Sequence, residues 1–476
     1  MKSKRLFIQT IGCQMNVYDS DRIESELAAL NYLRTQRLAD ADMVIVNTCA
    51  IRAKAEQKVF SFLGRLAGMK RRKPALLIGV GGCVAQQLGE RILERAPYLD
   101  LVFGTHAIGR LADMVADLER KPGPVVDVRE ATRPPSGKPI LPALPTRDVC
   151  RFVTIMQGCD NYCSYCVVPY VRGRETSRPP QEVVAEIRAL VDAGVREITL
   201  LGQNVNSYGQ KEGLCSFAEL LAQVDAVEGL ARIRFTTSHP KDLSRELCYA
   251  FRDLDKLCGH IHLPVQSGSN SILRRMNRKY TRERYLERVH TLRRIYPEIA
   301  ITTDFIVGFP GETRTDFQQT LELIETVGFD SVFAFKYSDR PNTPASRFPE
   351  KVSDSEKKRR LWELLELQKK LTLDKHRSMI GSIREVLVEG PSKGRGPADN
   401  TRPELCDAPP QWTGRTSGHH IVNFSPDPNA AAFNGDLTGR LVQIRIEHAY
   451  AHSLGGTPVK SDRACANAKG DEFYAA

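Results

Sequence analysis

The sequence predicts an α/β protein with two strand–helix domains followed by a small β domain. Residues 1–120 and 149–376 each alternate short apolar strands with helical patterns, which is typical of parallel sheets. Over residues 377–455 the apolar pattern becomes short and alternating, which indicates antiparallel strands. Of the 476 residues, 41% are hydrophobic and 26% are charged, so the chain has enough apolar material for several cores.

Four apolar segments predict the strands of the N-terminal domain, which we expect to be a doubly wound parallel sheet. Helical patterns at 19–33 and 51–69 separate the first three. The four segments are 5–10, 42–48, 75–80 and 99–104. Residues 121–148, which contain seven prolines and little periodicity, are interpreted as a linker.

Six apolar segments predict the strands of the central domain. Periodicity alone leaves open whether they form an open barrel or a second doubly wound sheet. The segments are 151–156, 197–202, 233–238, 260–265, 301–308 and 331–338.

The C-terminal segments predict a small antiparallel barrel or sheet. Strands are expected at 382–390, 419–424 and 439–449, with a long loop at 391–411. Residues 456–476 are expected to be a disordered tail.

No apolar run approaches the roughly 20 residues of a membrane span, so we expect a cytoplasmic protein that does not bind membranes. The net charge of +11 favours a nucleic-acid partner.

Three of the twelve cysteines follow the first strand of the central domain with the spacing C-x₃-C-x₂-C: Cys159, Cys163 and Cys166. Thiolates are the usual ligands of iron–sulfur clusters, and three of them leave one iron of a four-iron cluster without a protein ligand. A zinc site with a distant fourth ligand is the alternative. The position of the triplet, directly after a strand of an α/β domain, favours the cluster.

A second trio has a common topological position. Cys13, Cys49 and Cys83 each come just after an apolar strand of the N-terminal domain, and parallel strands end at one edge of a sheet. Glycines at 12, 81 and 82 allow close backbone approach. The alternative is three small buried cysteines. Three at equivalent positions favour a second cluster.

The loop at 159–166 resembles the radical S-adenosylmethionine superfamily. That resemblance implies reductive cleavage of S-adenosylmethionine to methionine and a 5′-deoxyadenosyl radical. Over about residues 4–455 the chain resembles the methylthiotransferases, most closely the branch that acts on dimethylallyladenosine in tRNA. The motifs that carry this resemblance are "GCQMNVYDSDRI" (12–23), "NTCAIRAKAEQKV" (47–59), "GCDNYCSYCVVPYVRGRETSR" (158–178) and "LGQNVNSYG" (201–209).

The resemblance implies an open-barrel central domain and a C-terminal RNA-binding domain of the TRAM type. It implies methylthiolation of C2 of N6-dimethylallyladenosine at position 37 of tRNA, with S-adenosylmethionine as radical source and methyl donor. Two 4Fe-4S clusters would divide the work. The 159/163/166 cluster would make the radical, and the 13/49/83 cluster would carry sulfur. An electron donor such as flavodoxin or ferredoxin and a sulfur source are implied, and the chain is expected to act as a monomer.

Other site residues are carried over by position. Residues expected to bind S-adenosylmethionine are Tyr165, Gly202, Gln203, Ser238 and Gln266, and Asp304 is expected in the same cavity. The alternative for the polar residues at strand ends is capping of a helix or turn.

Three arginines beside the cysteine loop, Arg172, Arg174 and Arg178, are expected to contact phosphates. The basic segment 274–294 is a second candidate for RNA contact, but a solvated helix face explains its charge at least as well.

Other functions remain open at this point. A methylthiotransferase could act instead on threonylcarbamoyl-adenosine of tRNA or on an aspartate of a ribosomal protein. A non-catalytic iron–sulfur RNA-binding redox sensor and a zinc-stabilised RNA-binding protein are alternatives of another class.

Overall fold

A computed structural model describes residues 3–50, 53–120, 123–130, 148–392, 411–425 and 435–459. These residues form an N-terminal parallel sheet, a central parallel barrel and a C-terminal closed barrel. No helix in the described ranges has the length and apolar character needed to cross a membrane. Residues 393–410 of the predicted loop at 391–411, and residues 460–476 of the predicted tail at 456–476, lie outside the described residues.

The N-terminal sheet has six parallel strands in the order β2-β1-β3-β4-β5-β6. The strands are Lys4–Thr10 (β1), Tyr32–Arg34 (β2), Met43–Thr48 (β3), Leu77–Gly82 (β4), Leu101–Phe103 (β5) and Val125–Asp127 (β6). The helices are Gln14–Ala28 (α1), Ala53–Arg72 (α2), Cys83–Leu88 (α3), Arg91–Arg95 (α4) and Leu111–Arg120 (α5).

Helices cover both faces of this sheet, which confirms the doubly wound prediction. Alternate residues of β3 belong to different cores. Ile45 packs with Leu27 of α1 and Leu111 of α5, whereas Val46 packs with Leu66 of α2. The strand order reverses between β1 and β3, and the loops after these two strands flank the place where such sheets bind ligands.

Two short strands were missed. Tyr32–Arg34 overlaps the end of the predicted helix 19–33, but α1 ends at Ala28 and Asn31 turns the chain with a left-handed φ of 61°. Val125–Asp127 falls in the predicted linker and pairs with β5. The linker prediction and the boundary at residue 120 are therefore wrong for this strand, and residues 131–147 lie outside the described part of the chain.

The central domain has six parallel strands in chain order, which confirms the open barrel. They form two three-stranded sheets that an isolated bridge between Ile233 and Leu257 joins. The six are Cys150–Thr154 (β7), Glu197–Leu201 (β10), Arg232–Phe235 (β11), His260–His262 (β12), Ala300–Val307 (β13) and Ser331–Lys336 (β14). Met156–Gln157 (β8) and Thr176–Ser177 (β9) form a small antiparallel pair beside the cysteine loop.

Five of the eight described helices of the central domain begin at polar caps that the sequence supplies. Ser216, Ser244, Thr281, Thr313 and Ser353 each accept a hydrogen bond from an N–H group in the first turn. The helices are Val168–Val171 (α6), Pro180–Asp192 (α7), Phe217–Asp225 (α8), Arg245–Asp253 (α9), Asn270–Arg275 (α10), Arg282–Ile295 (α11), Arg314–Val327 (α12) and Asp354–Ser378 (α13).

The C-terminal domain is a closed five-stranded barrel in the order β15-β16-β17-β19-β18. Its strands are Ile383–Pro391 (β15), Trp412–Thr416 (β16), Ile421–Phe424 (β17), Leu441–Ala449 (β18) and Leu454–Pro458 (β19). The sequence predicted three of the five. β16 adjoins the predicted loop, and β19 extends three residues beyond the predicted boundary at 455, so the tail prediction is wrong for those residues.

The turn between β16 and β17 closes the amino end of the central barrel. Arg232 and Arg234 of β11 donate hydrogen bonds to carbonyl oxygens of Arg415, Thr416 and Ser417. His419 stacks on His260 at the start of β12, with ring centroids 4.9 Å apart. The catalytic loops of a parallel barrel lie at the opposite, carboxyl end of its strands, so this contact leaves that end open.

Candidate active site

The first cysteine trio converges at the carboxyl edge of the N-terminal sheet. Cys13 is the N-cap of α1, Cys49 follows β3 and Cys83 begins α3. A hydrogen bond from Cys49 lowers the pKa of Cys13 to about 6, aided by the charge of Arg172 and opposed by burial. Burial raises the pKa of Cys83, and the charge of a Cys13 thiolate adds to this. The thiols therefore lie close enough to affect each other's charge.

Glycines make this convergence possible, as predicted. A Cβ atom on Gly12 would lie 2.8 Å from Cβ of Cys49, and one on Gly82 would lie 2.4 Å from the carbonyl oxygen of Thr48. Gly82 also has φ of +90°, which side chains rarely adopt. Neither loop could approach its neighbour so closely with a larger residue.

Two buried asparagines fix the first trio, and the sequence analysis missed both. The side-chain Nδ2 atom of Asn16 donates to Asn47 Oδ1 and to the Thr48 carbonyl oxygen, each at 3.0 Å. Asn47 donates in return to the Asn16 carbonyl oxygen at 2.8 Å. These bonds join the start of α1 to the end of β3, and so hold Cys13 beside Cys49.

Arg172 lies beside this trio and does not face solvent. Its side chain is 4% exposed and donates to Asp19 of α1 at 2.7 Å. Its positive charge also opposes the rise that burial causes in the pKa of the Cys83 thiol. The prediction that Arg172 contacts RNA phosphates is therefore wrong, because both the N-terminal domain and the ion pair cover the guanidinium.

Arg178 is likewise buried, so the same prediction is wrong for it. It pairs with Glu186 at 2.7 Å and donates to the Thr154 carbonyl oxygen. The third predicted arginine, Arg174, has a side chain that is 73% exposed and pairs with Asp160 at 2.8 Å. Of these three, Arg174 alone presents its charge to solvent.

The second trio lies in the loop after β8. Backbone hydrogen bonds hold this loop, including those from Cys159 to Gly173 and from Ser164 to Met276. Burial, the Cys163 thiol and, more weakly, the Cys159 thiol raise the pKa of Cys166 to about 12. Cys163 is buried, and Cys159 and Cys166 are partly exposed. The three thiols thus lie close enough to affect each other's charge, and a bound metal cluster would supply the positive charge that their ionised forms need.

The two cysteine sites share one small apolar core. Val167 and Val171, which directly follow the second trio, pack with Cys83, Val84 and Ala50 of the first site. Thr105 also donates to the Val171 carbonyl oxygen at 2.8 Å. The loop after one trio is therefore packed against the other.

Arg278 is a site residue that the sequence pattern did not indicate. Its Nη1 atom lies 3.4 Å from Cys163 Sγ and 3.5 Å from the Tyr165 hydroxyl, and Nη2 donates to the Pro264 carbonyl oxygen at 2.6 Å. It lies in the basic segment 274–294, where composition did not distinguish a buried arginine from exposed ones. A fixed positive charge therefore adjoins the second trio.

Buried polar atoms without partners lie at the carboxyl ends of β10 and β11. Among the described residues these include Gln203 Oε1, Ser238 Oγ and His239 Nε2. His239 Nδ1 accepts from the Lys241 N–H group at 3.3 Å, so Nε2 carries the proton of the neutral ring. Burial and the nearby charge of Arg278 hold the pKa of His239 far below its usual range. These atoms offer unused hydrogen bonds to a polar ligand.

The remaining predicted residues lie around the same end of the barrel. Gln266 has a left-handed φ of 80° and bonds through its backbone to Asp304 and Ile306. Tyr165 packs in a cluster with Phe309 and Met276. Asp304 lies 3.5 Å from His262.

Gly202 is packed against Met156, whose Cγ would lie 2.5 Å from an added Cβ. Close packing against Met156 therefore explains why position 202 needs glycine.

No group of three or more His, Cys, Asp or Glu side chains in the described residues is arranged to bind one metal ion. A four-iron cluster differs from a single ion, because each thiolate binds a separate iron atom. The thiol chemistry of each trio fits that group, and so does the mutual influence of the thiols on their pKa values.

Family models match the two strand–helix domains separately. Residues 153–324 match the radical SAM superfamily, and residues 5–104 match a model described as uncharacterized protein family UPF0004. The chain is 54% identical over 456 residues to the tRNA-2-methylthio-N(6)-dimethylallyladenosine synthase of Desulfosudis oleivorans, covering 96% of this chain and 97% of that protein. The chain belongs to the tRNA-2-methylthio-N(6)-dimethylallyladenosine synthase family.

A second member of that synthase family, from Geobacter metallireducens, is 52% identical over 458 residues, which cover 95% of this chain and 98% of that protein. Membership confirms the predicted radical SAM methylthiotransferase and its branch. It also implies a 4Fe-4S cluster and S-adenosylmethionine as cofactors.

Solved structures share the fold of the synthase family at low identity. The radical S-adenosylmethionine methyltransferase TsrM from Kitasatospora setae matches with a TM-score of 0.54 and 15% identity, over 72% of this chain and 75% of that one. The cobalamin-dependent S-adenosylmethionine radical enzyme OxsB matches with a TM-score of 0.52 and 13% identity, over 78% of this chain and 56% of that one. These likenesses concern the fold alone.

Proposed function

We propose that this chain methylthiolates C2 of N6-dimethylallyladenosine at position 37 of tRNA, with two 4Fe-4S clusters and S-adenosylmethionine. The observation that carries the proposal is the shared core of Cys83, Val167 and Val171, since it places two three-thiol sites next to each other. Sulfur insertion at an unactivated carbon needs a radical site and a sulfur site that act on one atom. One chain with adjacent trios meets that need.

Cys159, Cys163 and Cys166 would hold one cluster, and Cys13, Cys49 and Cys83 would hold the other. When bound, the clusters and S-adenosylmethionine supply the radical, the sulfur and the methyl group. The protein supplies charge at both sites: Arg278 beside Cys163 and Arg172 beside Cys83. Such cations offset the negative charge of thiolate-bound clusters.

S-adenosylmethionine would form hydrogen bonds with the unpartnered polar atoms at the carboxyl end of the barrel. The Nε2–H group of His239 can donate, and Gln203 Oε1 can accept from an amino group. Ser238 Oγ can do either. The hydrogen bonds that these buried atoms lack are the ones that the methionyl and ribosyl groups of S-adenosylmethionine would provide.

The barrel geometry supports a substrate that enters from the carboxyl end. The C-terminal domain closes the opposite end through His419 and the backbone of 415–417. A lumen that is closed at one end limits the access of water, which protects a reactive radical from side reactions. We further propose that Arg174 contacts tRNA phosphates, that flavodoxin or ferredoxin delivers electrons, and that the chain acts as a monomer.

The test is an anaerobic reaction of the reconstituted protein with tRNA that carries dimethylallyladenosine but no methylthio group. Nucleoside mass spectrometry should show the 2-methylthio product only when S-adenosylmethionine and a reductant are both present. Cleavage of S-adenosylmethionine without that product would contradict the proposed reaction. Product on threonylcarbamoyl-adenosine instead would contradict the proposed substrate.

A further inference from the structure

The inner face of the last two barrel strands carries an exposed aromatic side chain next to a carboxylate. Phe333 of β14 pairs in register with Asp304 of β13. On β13 the alternate residues Phe305 and Val307 are buried in the main core, as is Val332 of β14. Phe333 and Asp304 therefore face the barrel interior, where Phe333 is 51% exposed.

His262 of β12 completes this inner face. Its ring meets the Phe333 ring edge-on, with centroids 5.9 Å apart, and its Nε2 atom lies 3.5 Å from Asp304 Oδ1. Thr302 fixes the other ring nitrogen, Nδ1, at 3.0 Å. We call Phe333, Asp304 and His262 the inner wall. It combines one apolar ring with a positioned acid–imidazole pair.

The inner wall is continuous with the candidate cofactor residues. The Gln266 N–H group donates to the Asp304 carbonyl oxygen at 2.9 Å, and the Ile306 N–H group donates to the Gln266 carbonyl oxygen at 3.0 Å. A molecule that lies against the inner wall is therefore next to the end of the barrel where the second cysteine trio lies. At the amino end of the barrel, the contact between His260 and His419 closes the lumen.

We propose that the inner wall receives the N6-dimethylallyl group of the target adenosine and selects it against a group that carries a carboxylate. This inference rests on the proposed function and names the residues that choose its substrate. A dimethylallyl group is uncharged and apolar, so it gains from covering the Phe333 ring. A threonylcarbamoyl group ends in a carboxylate, which the charge of Asp304 repels at this position.

The test measures binding with the reconstituted full-length protein and three synthetic anticodon stem-loop RNAs. Position 37 carries adenosine, N6-dimethylallyladenosine or threonylcarbamoyl-adenosine, and fluorescence anisotropy gives each Kd. The wild-type protein should bind the dimethylallyl RNA about tenfold more tightly than the adenosine RNA, as expected when an apolar group covers an apolar ring. Phe333→Ala should remove most of this preference, and Phe333→Leu should remove about half of it on a logarithmic scale.

Two further variants sharpen the result. Trp362→Ala is the matched control, because Trp362 is an exposed aromatic residue on α13, 66% exposed and outside the inner wall. It should leave all three Kd values unchanged. Asp304→Asn should tighten binding of the threonylcarbamoyl RNA by about threefold or more, because it removes the repelling charge.

The outcomes separate this inference from the proposed function. If both Phe333 variants keep the wild-type preference, the inference is overturned, whether or not methylthio product forms. If the wild-type protein makes the product but binds the first two RNAs equally, the inference again fails while the proposed function stands. If the preference is present and sensitive to Phe333 but no product forms, the proposed reaction fails and the binding site remains.

Discussion

Arg172 and Asp19 form a buried ion pair that joins the two cysteine sites. The Nη2 and Oδ2 atoms lie 2.7 Å apart, and the two side chains are 4% and 7% exposed. Asp19 belongs to α1, which begins after Cys13, and Arg172 follows the loop that contains Cys166. The pair therefore fixes the position of one trio relative to the other.

Arg172→Gln should destabilise the protein by about 3 kcal/mol, because it leaves the Asp19 carboxylate buried without its partner. The midpoint of urea denaturation, measured on the protein without clusters, reports this loss. Arg174→Gln is the matched control, since Arg174 is exposed and its ion pair contributes less than about 1 kcal/mol. Equal effects of the two changes would contradict the structural role given to Arg172.

Arg278→Gln should lower the reduction potential of the cluster at 159/163/166. The guanidinium lies 3.4 Å from Cys163 Sγ, and a nearby positive charge stabilises the more negative, reduced state. A redox titration followed by electron paramagnetic resonance measures the shift. Arg275→Gln, in the same segment but paired with Glu350 at 3.1 Å, should leave the potential unchanged. An unchanged potential in Arg278→Gln would count against a functional role for this charge.

Single cysteine changes should separate the two sites. Cys159→Ala should abolish cleavage of S-adenosylmethionine, because the radical cluster loses a ligand. Cys49→Ala should leave that cleavage intact and stop formation of the methylthio product. Chromatographic assay of 5′-deoxyadenosine, alongside nucleoside mass spectrometry, tests both. Loss of cleavage in Cys49→Ala, with the protein still folded, would refute this division of roles.

Asp330 should make the stability of the protein depend on acid pH. Burial alone raises the pKa of Asp330, but the hydrogen bond from His420 and the charge of Lys375 outweigh it and lower the pKa to about 2. Because the folded state binds this proton more weakly than the unfolded state, the stabilisation is present above about pH 4 and disappears as the pH falls towards 2.

Asp330→Asn should therefore cost about 2 kcal/mol at pH 7 and almost nothing near pH 2. Urea denaturation of both proteins over this range measures the difference. A difference that does not change with pH would show that the charge of Asp330 is not the stabilising feature.

Apolar pattern predicted most of the fold. All six strands of the central barrel were foreseen, because strands buried on both faces appear as continuous apolar runs. The missed strands are short, and they include Tyr32–Arg34 and Trp412–Thr416 besides Val125–Asp127 and Leu454–Pro458. Tyr32–Arg34 lies at a sheet edge and Trp412–Thr416 adjoins a proline-containing loop, so the pairing partners of these two strands define them more than their own residues do.

The cysteine trios were foreseen because the backbone decides their position. Residues that follow parallel strands meet at one edge whatever their neighbours are. Arg172, Arg178 and Arg278 could not be placed in this way. Whether an arginine is buried depends on contacts with residues far away in the sequence: Arg172 with Asp19, Arg178 with Tyr18 and Arg278 with Cys163.

The central claim is that one chain holds two separate clusters. The most direct measurement is the iron and acid-labile sulfide content of the anaerobically reconstituted protein and of the Cys13→Ala, Cys49→Ala, Cys83→Ala triple variant. We expect the variant to lose about half of the iron and sulfide and still to cleave S-adenosylmethionine, since each 4Fe-4S cluster contributes equally. Unchanged iron in the variant would contradict the claim and leave the first trio a packing feature of a one-cluster enzyme.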